Sequence, residues 1–134
     1  MLGEREQEIY GKMTLDELNA KLRAHARARK VLLRIFQSNH EGRLIDLIHK
    51  YRRWANGLVF NPGAYSHYSY ALRDAVAASR LVAIEVHLSE ISRREPFRRV
   101  SVIAPVCAGQ VCGKGHHSYL EAIERLSLGY RSAA

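Results

Sequence analysis

The sequence predicts an α/β domain in which a parallel sheet is covered by helices on both faces. Three observations lead there. Helical and strand-like segments alternate along the chain. The apolar runs are short and continuous, as in strands buried on both sides. The connections are of ordinary crossover length. A chain of 134 residues, 47% of them hydrophobic, fits one compact domain over 1–134 with one core.

Thr14-Leu15-Asp16-Glu17 reads as a capping box opening a helix, and Leu15, Leu18, Leu22 and Ala26 recur at helical spacing toward Lys30. Val31 to Phe36 is expected to be a strand. A second helix is expected from about Glu41 to Arg53, with Leu44, Ile48 and Tyr51 on one face, before Gly57 introduces the apolar strand Leu58-Val59-Phe60. Asn61-Pro62-Gly63 is a turn, Tyr68 to Ser79 an alanine-rich helix, and Leu81 to Val86 an apolar strand interrupted only by Glu85. An arginine-rich loop (Arg93, Arg94, Arg98, Arg99, with Pro96) leads to a strand near Val106 to Val111. Tyr119, Ile123 and Leu126 mark a closing helix. The series opens on a helix, whereas doubly wound domains of this size open on a strand that becomes central, so the first strand is expected to be missing from this chain.

The 21 Lys and Arg against 13 Asp and Glu give a net charge of +8, which draws anions: small acids, nucleic acid or lipid headgroups. Cys107 and Cys112 are too few for a disulfide scaffold and too widely spaced for a usual zinc or redox pair, which points to the reducing cytoplasm. The opening residues are acidic, unlike a signal peptide, and the apolar runs are too short to cross a membrane.

Three polar clusters follow predicted strands, where open α/β sheets bind ligands. Ser38-Asn39-His40-Glu41 reads equally as a helix cap, and Asn61, near His67, as an ordinary turn residue. Glu85 and His87 are harder to dismiss, because residues two apart on a strand share a face, and a carboxylate there can orient an imidazole and raise its basicity. A buried structural pair, or a metal site completed by His67 or Asp74, are the alternatives. His116-His117 is expected on a solvated turn. No glycine-rich phosphate cradle, nucleophile elbow or paired-cysteine motif is present.

The segments Gln37-Ser38-Asn39-His40-Glu41-Gly42, Asn61-Pro62-Gly63-Ala64-Tyr65-Ser66-His67, Ala71-Leu72-Arg73-Asp74-Ala75, Ile84-Glu85-Val86-His87-Leu88-Ser89 and Arg94-Glu95-Pro96-Phe97-Arg98 resemble, in order and spacing, type II 3-dehydroquinate dehydratase. The resemblance runs from Leu2 to about the final helix. It implies a flavodoxin-like fold and a lyase of the shikimate pathway. The implied reaction removes water from 3-dehydroquinate by anti elimination through an enolate, giving 3-dehydroshikimate without metal or cofactor. The implied assembly is a homo-oligomer, a dodecamer built from trimers.

Position by position, the resemblance makes Tyr10 the general base and Arg5 the cation that activates it, both in an N-terminal lid over 1–13. Bringing a tyrosine from about pH 10 to about 7 requires roughly 4 kcal/mol, which a neighbouring guanidinium in a closed site can supply. His87 becomes the general acid and Glu85 its orienting partner. Leu88 and Ser89 would bind the substrate carboxylate, Asn61, His67 and Arg98 its hydroxyls, and Asp74 would reach a neighbouring subunit's site. The family's opening strand and its Asn-Gly-Pro-Asn-Leu-Asn segment are not matched, and an asparagine there positions the water that stabilises the enolate. Smaller departures are Gln7, Tyr68 and Glu90; the last places a negative charge beside the carboxylate-binding turn unless it points away or pairs with Arg93 or Arg94. The competing reading is a catalytically silent relative acting as an assembly or binding module. A nucleic-acid binder is disfavoured, because no recognition helix or aromatic platform is evident.

Overall fold

A computed structural model describes residue 2 and residues 13–129. Thr14 caps the helix as predicted: its hydroxyl accepts from the Glu17 backbone N–H at 3.2 Å, and helix α1 (Leu15–Ala28) buries Leu18, Leu22 and Ala26. Lys30, at φ 57°, turns the chain out of the helix, while the Val31 N–H returns to the Ala26 carbonyl at 2.9 Å. There follow α2 (Glu41–Tyr51), β1 (Gly57–Phe60), α3 (Tyr70–Ser79), β2 (Val82–His87), β3 (Gly109–Cys112) and α4 (His117–Ser127). Ser69 caps α3, its hydroxyl accepting from the Leu72 N–H at 3.1 Å.

The described strands lie in the order β1-β2-β3 and all run parallel, so β2 has a neighbour on each side. Alternation along β2 divides its side chains between two layers. Ile84 and Val86 pack with Val111 and with Ala122 of α4. Ala83 turns to the other face, into a core of Ile48, Phe60, Leu72, Ala75, Val76 and Ile103. Leu72, Ile84 and Ile103 are wholly buried, each contributing about 1.5–3 kcal/mol by leaving water. α1 leans on α4 through Leu18, Leu22 and Ile123.

Three expectations are corrected. Residues 31–36 do not form a strand: their side chains alternate, with Leu33 and Ile35 packed inward and Leu32 83% exposed, but no ladder forms. Alternation decides which side chains turn inward, whereas a ladder needs an adjacent partner. This segment and β1 instead line a common groove of about 1890 Å³. The last strand begins later than expected, at Gly109, because Ala104–Val106 forms a 3-10 turn containing Pro105. His117 opens α4 rather than lying on a turn, its ring 4.1 Å from that of His116.

Candidate active site

β2 ends at His87, and both Glu85 and His87 project from the same face of the strand. Glu85 is fully buried and His87 6% exposed, with His87 Nε2 3.0 Å from Glu85 Oε2. The carboxylate can only accept, so Nε2 carries the proton and Nδ1 is the nitrogen left to serve the groove. Glu85 also accepts from Ser101 Oγ at 2.6 Å on Oε1 and from Gln110 Nε2 on Oε2. Burial pushes the Glu85 carboxyl up, but hydrogen bonds from His87, Ser101 and Gln110, with the His87 charge, outweigh it and hold the group below its ordinary value.

The groove that runs along the edge of β1 left unpaired among the described residues continues to these strand ends, where it is lined by Asn61, His67, His87, Leu88, Ser89 and Arg98. Asn61 leaves β1 in an Asx turn: its Oδ1 accepts from the Gly63 N–H at 3.0 Å while its Nδ2 donates to the Tyr119 hydroxyl at 2.8 Å. The turn reading was therefore right, and the same residue also lines the groove. His67 donates from Nδ1 to the Val100 carbonyl at 2.8 Å, which leaves Nε2 as an acceptor. Its ring meets Phe97 edge-on at 5.7 Å. Arg98 is held by Glu95 at 2.7 Å and lies over the Phe97 ring, 4.8 Å from its centroid.

Asp74 is not brought to this groove. It lies exposed on α3. Tyr10 and Arg5, with Gln7 and nearly all of the 1–13 segment, lie outside the described residues. Glu90 turns away from the groove-lining Leu88 and Ser89: its carboxylate accepts from the Ser92 hydroxyl at 2.9 Å and caps the 3-10 turn Ile91–Arg93, against Gly113.

Four residues given no site role in the sequence complete the arrangement. Arg94 lines the groove and donates to Ser89 Oγ at 3.3 Å. Tyr119, read only as a helix core position, presents its hydroxyl to Asn61, with burial keeping that phenol above its ordinary value. Gln110, a polar residue in an apolar strand, carried the same signal that drew attention to Glu85. Ser101 carried none.

Among the described residues no three His, Cys, Asp or Glu side chains are grouped to hold a metal ion. The arrangement can place a proton donor, hydroxyl-binding groups and two guanidiniums around one small anionic molecule.

A family model described as Dehydroquinase class II matches residues 1–127. The chain is 56% identical over 131 residues to the 3-dehydroquinate dehydratase of Roseiflexus castenholzii, covering 98% of this chain and 83% of that one. It is 50% identical over 125 residues to that of Bacillus pumilus, covering 93% and 85%. The fold matches the crystal structure of a type II dehydroquinase from Butyrivibrio crossotus with a TM-score of 0.91 and 44% identity, over 93% of this chain and 88% of that one.

Proposed function

The chain belongs to the class II dehydroquinase family, and on that premise we propose that the groove at the ends of β1 and β2 is where it carries out the family's reaction. It is a lyase that removes water from 3-dehydroquinate to give 3-dehydroshikimate, on a flavodoxin-like fold.

The observation that carries the placement is the Glu85–His87 pair at the rim of this groove. In the proposed sequence Tyr10, activated by Arg5, takes the proton beside the ketone, and the electron pair moves onto the carbonyl oxygen as an enolate. The enolate then collapses, expelling the hydroxyl group, which takes a proton from His87 Nδ1–H and leaves as water. Glu85, accepting from Nε2 beneath the ring, holds the imidazole with Nδ1 toward the groove. Ser89 and the backbone at Leu88 hold the substrate carboxylate, and Arg94, donating to Ser89, adds positive charge there. Asn61, His67 and Arg98 take the ring hydroxyls, with the acceptor Nε2 of His67 selecting a donor. Asp74, exposed on α3, serves a neighbouring subunit in a dodecamer built from trimers. The cytoplasm is the proposed compartment.

The test is turnover of 3-dehydroquinate by this chain, followed by the ultraviolet absorbance of the conjugated product, with Tyr10→Phe as control. Turnover abolished by the control supports the assignment. A folded chain without turnover overturns it and returns the silent-relative reading.

A further inference from the structure

Glu85 is held by more than the histidine it orients. Three donors from three parts of the fold converge on its two oxygens: His87 from the same strand, Gln110 from β3 and Ser101 from the loop between β2 and β3. Gln110 lies directly opposite Glu85 in the parallel ladder, so strand pairing itself delivers the amide to the carboxylate. Ser101 is committed by its own surroundings. Its hydroxyl oxygen receives the backbone N–H groups of Ile103 at 3.2 Å and Ala104 at 3.0 Å, which occupy both lone pairs and leave its single proton for Glu85 Oε1.

We propose that Ser101 and Gln110 are positioning residues of the dehydration, a cradle that keeps Glu85 ionised and fixes which nitrogen of His87 faces the substrate. Three of the about four lone-pair sites of the carboxylate are taken by donors, both of those on Oε2 among them, so a proton on Glu85 weakens these charge-assisted hydrogen bonds as well as removing a charge. Among the described residues, the other titratable groups near the carboxylate are the thiols of Cys107 and Cys112. Burial, then the Glu85 charge, pushes Cys107 up to about 12. Burial, then Glu90 and Glu85, pushes Cys112 up to about 11. Both remain neutral thiols and add no charge beside Glu85. The cradle rests on the dehydration reading for its catalytic meaning but not for its electrostatics.

The experiment has two arms on the full chain, with Ser101→Ala, Gln110→Leu and the conservative Ser101→Thr, each checked for folding by circular dichroism. In the first arm, carbon NMR of the Glu85 carboxyl and nitrogen NMR of the His87 ring are followed against pH, without substrate. Each lost donor should raise the pH at which Glu85 takes a proton by about one to two units, and the threonine should restore it. In the second arm, the acid limb of kcat should move up in the same variants, with kcat reduced about tenfold at neutral pH and KM within about threefold. Titrations that do not move overturn the cradle and leave the dehydration reading standing. Titrations that move in a parent chain without turnover overturn the dehydration reading and leave the cradle as a charge-holding device. A general loss of kcat with an unchanged pH profile, not restored by threonine, overturns the positioning role.

Discussion

Replacing Glu85 by glutamine is the smallest change that separates the charge of this residue from its shape. The carboxylate offers only acceptors to Ser101, Gln110 and His87. An amide must present an NH2 group on one side, and with its partners keeping their present donor roles either choice sets donor against donor. If the NH2 faces Ser101, it meets a hydroxyl whose lone pairs are taken by Ile103 and Ala104. If it faces the other way, it meets both His87 and Gln110. Charge-assisted hydrogen bonds are worth about 1.5–3 kcal/mol each, and an unsatisfied buried donor costs about 1–3 kcal/mol. Against this, the glutamine no longer requires a buried charge to be stripped of water. The balance predicts a loss of about 2–4 kcal/mol in urea unfolding. In turnover, His87 loses the carboxylate that orients its ring, and kcat should fall about 10²- to 10⁴-fold, the range of a general acid. Denaturant midpoints and product absorbance measure the two effects on the same preparation. A Glu85→Gln variant with kcat within threefold of the parent and an unmoved midpoint would refute both the donor geometry and the role of the pair.

The lowered Glu85 carboxyl also makes stability depend on acid. Its contribution is fully present above the ordinary value of 4.5 and is lost as pH falls through the lower folded value, so thermal unfolding temperatures should drop below about pH 4.5 less steeply in Glu85→Gln than in the parent. Tyr119→Phe removes the oxygen to which Asn61 Nδ2 donates but leaves the Asx turn to Gly63, so we expect about 1 kcal/mol of destabilisation by thermal unfolding and a severalfold rise in KM. Gly113→Ala puts a side chain at φ 77°, with its Cβ 2.9 Å from Glu90 Oε2; about 1–2 kcal/mol should be lost in denaturant unfolding, and a parent-like midpoint would contradict the backbone assignment.

The sequence disclosed the site better than its supports, for a physical reason. Glu85 stood out because a charge in an apolar strand requires a reason to be there, and His87, two residues on, shared its face. Asn61 was recognisable as a turn residue, since Asx chemistry is local, but nothing local shows that its other end reaches Tyr119, 58 residues away. Gln110 and Ser101 reach Glu85 across 25 and 16 residues, through strand register and loop packing that only the folded chain defines. Residues 31–36 show the converse limit. Their alternation was legible and did place Leu33 and Ile35 against the α1–α4 layer, yet alternation names a face and not a partner, and the ladder expected of them did not form.

The same distinction governs the charge of the chain. A net +8 says that anions will be attracted but not where, because most cations on a small domain point into solvent. The groove concentrates the effect at the strand ends. Arg94 donates to Ser89, while Arg98 is tied to Glu95 and stacked on Phe97, so one carboxylate at the rim faces two guanidiniums. The buried anion of the site, Glu85, is already committed to its three donors, His87, Ser101 and Gln110. Positive charge therefore remains where the proposal places a substrate carboxylate, and negative charge sits behind His87. This polarity, one sign before the imidazole and the other beneath it, suits protonation of a leaving hydroxyl on an anionic substrate better than the binding of a polyanion along a surface.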